Sequence, residues 1–305
     1  MTTLASNPNT AGEDRIGGFR FVRTIHPGAT SIVMEVVQES TSKRFALKQL
    51  NASRAETREE RKLFEFEANL GMELRHPNLV RVHEYFKDPV QPYFIMDLFP
   101  SFHLKMPIAR PSVYPMPVAQ LHSIMEQAAS ALHYMHEKNW VHRDVKPENI
   151  LVSKGGDVRV VDYALALRPY SSLKKMFVKK APVQGTRTYM APEQIRGEPP
   201  TAAADIYSFG ITCYELACGR PPFRGNSENE LLNKHIKERP LPLTSHNKEI
   251  TSEFNDLILK MVSKRPADRP ESLRAFLSKF RGVRIYKTDP DPTVGRDRDR
   301  DLGMA

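Results

Sequence analysis

The chain has little cysteine and almost no tryptophan: two Cys and one Trp in 305 residues. Cys213 and Cys218 share one apolar stretch. They read as buried thiols of a reducing compartment, which excludes a disulfide framework and a cysteine metal site. No apolar run is long enough to span a bilayer, and the N-terminus lacks the apolar core of a signal peptide. A cytoplasmic chain with no membrane segment is therefore expected. Basic residues outnumber acidic ones, 45 to 36, for a formal net charge of +9. Such a charge could suit nucleic acid or a membrane surface. Aromatic residues interleaved with basic ones are missing, so no nucleic-acid partner is expected, and a basic surface that helps hold phosphates is better supported. At 40% hydrophobic and 27% charged the composition is that of a soluble globular protein. Its length suits one large domain or two lobes with a shared cleft.

The stretch richest in chemistry is Val141-His142-Arg143-Asp144-Val145-Lys146-Pro147-Glu148-Asn149-Ile150-Leu151. A histidine, two acids, two bases and an amide stand between apolar walls, which points to a short loop held by buried anchors. A solvated turn would not need the walls. Asp144 can orient or deprotonate a hydroxyl, Lys146 can neutralise a phosphate, and Asn149 can ligate a hard metal through oxygen. This resembles the catalytic loop of protein kinases, H-R-D-x-x-x-x-N, with no departure at its key positions.

Other motifs follow the family's order. Residues 1–17 read as a disordered leader. Phe19–Ile25 and Ile32–Val37 are strand-like runs joined by His26-Pro27-Gly28-Ala29-Thr30-Ser31. Aligned on Val33 with the kinase glycine-rich loop, only the middle glycine survives, as Gly28. His26 and Ser31 replace the outer two, and their Cβ atoms restrict the approach of backbone N–H groups to phosphates. Alone, this stretch reads equally as a plain turn. Phe45-Ala46-Leu47-Lys48 is similar to the V-A-I-K strand, which gives Lys48 the α- and β-phosphates. Residues 54–75 are helical in pattern, with Leu63, Phe66, Leu70 and Leu74 as the expected buried stripe. Glu65 and Glu67 are both candidate partners for Lys48. The family's count back from His76-Pro77-Asn78 selects Glu67. The same register puts Gly71 where the family has an apolar residue, so a less rigidly seated helix is expected.

Two strands, Val80–Phe86 and Tyr93–Phe99, lead to the hinge of the resemblance. Met96 then borders the back of the adenine pocket, with backbone groups of Asp97 and Phe99 at the adenine edge. Met96 also reads as ordinary core. Ile25, Val33, Ala46 and Leu151 complete the implied ATP contacts. Five prolines between 100 and 117 predict an irregular segment. A helix over Val118–Lys138 follows, buried through Leu121, Ile124, Met125, Ala128, Leu132 and Met135.

Asp162-Tyr163-Ala164 ends the strand that starts at Asp157 and takes the place of D-F-G. Asp162 and Asn149 are then the Mg²⁺ ligands, and the Tyr163 hydroxyl needs a partner if buried. A structural acid at a strand end is the other reading of Asp162. Residues 165–184 resemble a basic activation loop in place and length, with Ser171 and Ser172 as its candidate phosphosites. Gly185–Glu193 looks like G-T-x-x-Y-x-A-P-E. The resemblance implies that Thr186 contacts Asp144 and Lys146, and that Glu193 pairs with Arg269. It also implies that Asp205 ties down the loop near His142; Asp205 reads equally as a helix N-cap. Helices are expected near 204–217, 227–238, 251–262 and 270–281. From residue 283 a charged flexible tail is expected.

The resemblance spans residues 18–282 and identifies a Hanks-type protein serine/threonine kinase with a bacterial style of second lobe. It implies an α+β, two-lobed fold. Residues 18–99 would carry a five-stranded sheet with one helix, and residues 100–282 a mainly helical lobe, with ATP in the cleft. ATP, Mg²⁺ and a protein substrate with Ser or Thr are the implied partners. Lys146 and Thr186 mark serine/threonine, not tyrosine, specificity. The competing reading is a pseudokinase that binds nucleotide or a partner as a scaffold. Its support is the thinned glycine loop, Gly71 and Asp-Tyr-Ala; against it, every charged catalytic residue is present.

Overall fold

The computed structural model describes residues 15–114, 118–169, 184–199 and 201–290. The chain divides into two compact units. The first holds the residues up to Arg75 plus Val80–Pro100, and the second holds His76–Leu79 plus Ser101 onward. The short stretch His76–Leu79 belongs with the second unit, although it precedes the border expected at residue 99. There the Asn78 amide donates to Gln127 and to the Val158 carbonyl.

In the first unit, β1 (Arg15–Ile16), β2 (Phe19–Pro27), β3 (Ser31–Gln38), β4 (Arg44–Leu50), β5 (Val82–Phe86) and β6 (Tyr93–Asp97) form one sheet. Its order is β1-β2-β3-β4-β6-β5, and each pairing is antiparallel. The sixth strand is the two-residue β1, so the chain is already paired at positions assigned to a disordered leader. Side chains alternate across the pleat. Met34, Val36, Leu47, Tyr93 and Ile95 pack with Phe19 on one face. Leu50, Val82 and Phe94 on the other meet Ala55, Phe64 and Ala68.

Those last residues come from α1 (Ala52–Ala55) and α2 (Arg58–Glu73). The buried stripe of α2 is Phe64, Glu67, Ala68, Leu70 and Gly71. Leu63, expected inside, is 44% exposed. Leu70 and Leu74 are buried as expected and Phe66 is half-buried, while Phe64 takes the inward place of Leu63, its ring tilted against Phe94 with centroids 5.0 Å apart. Helix α2 stops ahead of His76-Pro77, since a residue before proline is driven out of helical geometry.

The second unit opens on β7 (Phe102–His103) and α3 (Lys105–Ala109). This corrects the irregular segment expected from the prolines. Pro107 sits in the first turn of α3, where its missing N–H has no helical partner to lose. Helix α4 (Leu121–Glu137) follows, and all six residues of its expected stripe are buried. Strands β8 (Ile150–Val152) and β9 (Val158–Val160) pair antiparallel, with β7 on the far side of β8.

After α5 (Pro192–Ile195) comes α6 (Ala202–Cys218), buried at every residue from Ala204 to Ala217. A helix apolar all round must be wrapped by others. Here the wrapping includes α4 and α8 (Ser252–Met261), with α7 (Glu228–Lys237) touching it through His235 on Tyr207 and α9 (Leu273–Phe280) through Phe276 on Phe209. Gly210 lets α6 approach α8 closely: a Cβ there would lie 2.8 Å from Met261 Cβ. Both cysteines are free, Cys213 buried and Cys218 half-buried. Burial pushes the Cys218 thiol up to about 12.

The boundary at residue 282 is also corrected. Ile285 and Tyr286 are buried. Thr251 N–H donates to the Ile285 carbonyl, and the Tyr286 hydroxyl donates to the Ala217 carbonyl at 3.0 Å. The low apolar content past Gly282 hid two anchors. Tyr286→Ala should cost about 2–4 kcal/mol of unfolding free energy, read as a lower urea midpoint, because it empties a buried aromatic site and orphans a carbonyl.

Candidate active site

The first unit presents Lys48 on β4. Its Nζ lies 2.6 Å from Glu67 Oε1 of α2, and Glu67 is 5% exposed. Glu65, the other candidate, is directed to Lys87 at 3.6 Å. The Lys48 ammonium also lies 5.8 Å from the centroid of the Phe94 ring. Val33 is the cross-strand partner of Lys48, and Ala46 that of Met96. Val33, Ala46, Lys48 and Met96 thus share one face of the sheet. Glu35, opposite Ala46, is buried on that face between Arg23 and Arg44. Ile25 falls in a register shift of β2 and is largely exposed. The Asp97 N–H donates to the Arg81 carbonyl, and Phe99 is half-buried.

The turn between β2 and β3 is more tightly held than its glycine content suggested. The Gly28 N–H donates to the Ser31 carbonyl at 2.9 Å, and a Cβ on Gly28 would lie 2.7 Å from that oxygen. Asn51 pins the turn from outside. Its N–H donates to the Thr30 carbonyl and its side-chain amide to the Gly28 carbonyl at 3.0 Å. Asn51 occupies the N-cap of α1 without capping it. An asparagine there ordinarily turns its side chain inward to the helix, so this amide is spent on the turn instead.

In the second unit, Asp144 is the centre of a dense cluster. Its Oδ2 accepts from Lys146 Nζ at 2.6 Å; its Oδ1 accepts from the Thr186 N–H and hydroxyl, both at 2.9 Å. Lys146 also reaches the Thr186 hydroxyl at 2.8 Å. The Asn149 amide donates to the Asp144 carbonyl at 2.9 Å. Burial alone would raise the Asp144 carboxyl. The Lys146 charge and the bonds from Lys146 and Thr186 outweigh it and hold the carboxyl below its usual range. A carboxylate that stays ionised while walled in can accept a proton from a hydroxyl placed against it.

The loop that carries Asp144 is held by a second carboxylate. Asp205, fully buried in α6, accepts from the His142 N–H at 2.7 Å, the Arg143 N–H at 2.8 Å and His136 Nε2 at 2.8 Å. Thr201, not Asp205, is the N-cap of α6. Arg143 has φ +70°, a left-handed conformation costly for a side-chain-bearing residue. The Gln194 side chain donates to its carbonyl.

Asn149 and Asp162 come to the same end of the β8–β9 pair, where the Val161 N–H donates to the Asn149 carbonyl. The Asn149 amide nitrogen faces Asp144, which leaves its side-chain oxygen as the acceptor. One amide oxygen and one carboxylate fit Mg²⁺, which keeps waters and phosphate oxygens for its other positions. Among the described residues no group of three or more His, Cys, Asp or Glu could hold a metal ion. Tyr163 is buried, its hydroxyl donating to the Val160 carbonyl at 3.1 Å and its ring edge-on to His142. His142 Nε2 lies 3.1 Å from the Val161 carbonyl. Leu151, on β8, is half-buried opposite Arg159.

Glu193 and Arg269 form a two-pronged buried pair at 2.6 and 2.8 Å. Ser171 and Ser172 lie outside the described residues.

Sequence reasoning missed Lys105, Tyr189 and Glu215. Lys105 Nζ reaches Glu215 Oε1 at 2.6 Å and the Tyr189 hydroxyl at 3.0 Å, and that hydroxyl donates to Glu215 Oε2 at 2.5 Å. The trio ties α3 and the turn at Tyr189 to α6. Tyr189 and Glu215 lay in stretches already singled out; Lys105 was hidden among prolines and carried no signal.

A carboxyl held low contributes stability above its unfolded value, about 4, and loses it as pH falls through the folded value. Bonds and charge from His136 and His142 keep Asp205 low against the upward push of burial. Asp205→Asn should cost about 2–4 kcal/mol at neutral pH and flatten the acid limb of the stability curve, read by denaturant titration at stepped pH. Asn51→Ala should raise hydrogen exchange at the Gly28 amide and leave β4 protected.

The comparisons with known proteins come to the same place. The sequence model of the family described as "Protein kinase domain" matches residues 19–280. The chain is 31% identical over 243 residues to the serine/threonine-protein kinase PknB of Mycobacterium leprae, covering 78% of this chain and 38% of that protein. It is 31% identical over 282 residues to the serine/threonine-protein kinase PknA of Mycobacterium tuberculosis, covering 91% of this chain and 64% of that one. The chain thus spans 38% of the length of this PknB relative. Among the described residues no helix is long and apolar enough to cross a membrane.

Proposed function

The chain belongs to the protein kinase domain family, and from that premise we propose that it transfers the γ-phosphate of ATP to serine and threonine hydroxyls of proteins, itself included. The observation that carries the reading is the Asp144 cluster: one ionised carboxylate that accepts from Lys146, Thr186 and, at 3.3 Å, the Asn149 amide.

Asp144 orients the incoming hydroxyl and takes its proton as the oxygen–phosphorus bond forms and the bond to the leaving diphosphate breaks. Lys146 neutralises charge on the transferred group. Lys48, held by Glu67, takes the α- and β-phosphates, and Val33, Ala46 and Met96 are assigned to the adenine. Asp162 and Asn149 are the assigned Mg²⁺ ligands; the ion, when bound, offsets phosphate charge. The reaction needs positioning and charge compensation more than covalent chemistry, which is why the ionic residues matter most. Lys146 and Thr186 support hydroxyls of serine and threonine over tyrosine. Free thiols, one buried and one half-buried, fit a reducing cytoplasm. A binding-only role would be favoured by loss of a charged catalytic residue, and all are retained.

Incubation with Mg-ATP should label the protein or an added protein substrate, with phosphate located by mass spectrometry on serine or threonine. Asp144→Asn should lower transfer by about 100-fold or more while the fold persists. Equal labelling by the two proteins would overturn the proposal.

A further inference from the structure

Arg61 stands in the first turn of α2 and has none of the roles assigned above. Its guanidinium gathers four backbone carbonyls. Nε donates to Ala55 at 2.5 Å, Nη1 to Asp88 at 3.0 Å, and Nη2 to Pro89 at 2.6 Å and Val90 at 2.9 Å. Ala55 closes α1. Asp88–Val90 form the turn between β5 and β6, itself braced by Asp88 Oδ1 accepting from the Val90 and Gln91 N–H groups. One side chain therefore clamps the start of α2 to two other segments of the first unit.

Beyond an exposed ion pair between Arg54 of α1 and Glu60 at 3.2 Å, little else holds that end. Thr57 makes no side-chain cap. Arg58, Glu59, Lys62 and Leu63 are exposed, and the first buried side chain is Phe64. Towards the far end, Gly71 supplies no side chain to pack. Only a planar fork of five donors reaches carbonyls in several directions at once; a lysine ammonium on a flexible stem does not reproduce it.

We infer that Arg61 is a positioning residue: by clamping α2 to the β5–β6 turn, it keeps Glu67 on Lys48. Glu67 is six residues further on, about 9 Å along the helix axis, so the effect travels through the helix and not by contact. To tilt or slide, the start of α2 must give up these carbonyls together. The catalytic half of this inference rests on the kinase reading; the mechanical half does not.

Two measurements on the full chain separate them. In hydrogen exchange, Arg61→Ala should speed exchange of the Phe64–Leu70 amides by about tenfold and leave β3 and β4 unchanged. Unaltered protection of α2 would overturn the clamp. In steady-state kinetics, Arg61→Ala should lower kcat/KM for ATP by about tenfold in the native background, yet by less than about twofold once Glu67→Gln is present. Equal losses in both backgrounds would show that Arg61 does not act through Glu67. If the native chain transfers no phosphate, the kinase reading fails and the exchange result still decides the clamp. Should Arg61→Ala not fold, Arg61→Lys replaces it, with the same direction expected in both measurements. A lysine variant that matches the native chain in both overturns the inference.

Discussion

The second unit's chemistry depends on one buried carboxylate that takes no part in the assigned reaction. Asp205 is fully enclosed, and three donors from two segments satisfy it: the His142 and Arg143 N–H groups and His136. Without those donors a charge at that depth would be untenable. Without the charge, the loop would lose the acceptor of its His142 and Arg143 N–H groups, which helps hold Arg143 in a left-handed backbone conformation that costs about 1–2 kcal/mol. That backbone setting aims the next side chain, Asp144, at Lys146 and Thr186. The chain therefore fixes a loop from below, with a helix whose every side is packed, so that the loop's upper face can stay polar.

The first unit solves the same problem with cations. Lys48 and Glu67 meet because a strand and a helix are each held elsewhere. The strand is held by its ladder, and the helix by Phe64 against Phe94 and by Arg61 on a run of carbonyls. The turn at Gly28 lacks two of the family's glycines, and an asparagine from the next strand's end supplies the restraint. In both places a departure from the family's pattern is accompanied by a polar side chain that grips backbone.

Much of this was legible before any coordinates. The catalytic stretch, Lys48, Glu67, Asp162 and the Glu193–Arg269 pair could be found because ionic groups at fixed spacings leave a readable trace. Helix α4 was legible because its apolar period is regular. Where reading failed, the cause was physical. Leu63 and Phe64 are adjacent and both apolar, so the period could not say which faced inward. Pro107 looked like a breaker, though a first-turn proline costs a helix nothing. Ile285 and Tyr286 lie in a polar stretch, and two side chains are too few to make a pattern. The grips of Asn51 and Arg61 on backbone carbonyls follow from the fold, and no spacing announces them.

Tyr163 stands where the family has phenylalanine, and its hydroxyl is bonded to the carbonyl of Val160 at the end of β9. Swinging that ring out of its seat breaks a buried hydrogen bond, and Ala164 beyond it lacks the latitude of glycine. Small molecules that bind by wedging into the space left by the departed ring would meet a surcharge here that a phenylalanine would not impose. One phenolic oxygen would then contribute to inhibitor selectivity between this chain and a kinase with phenylalanine at that place.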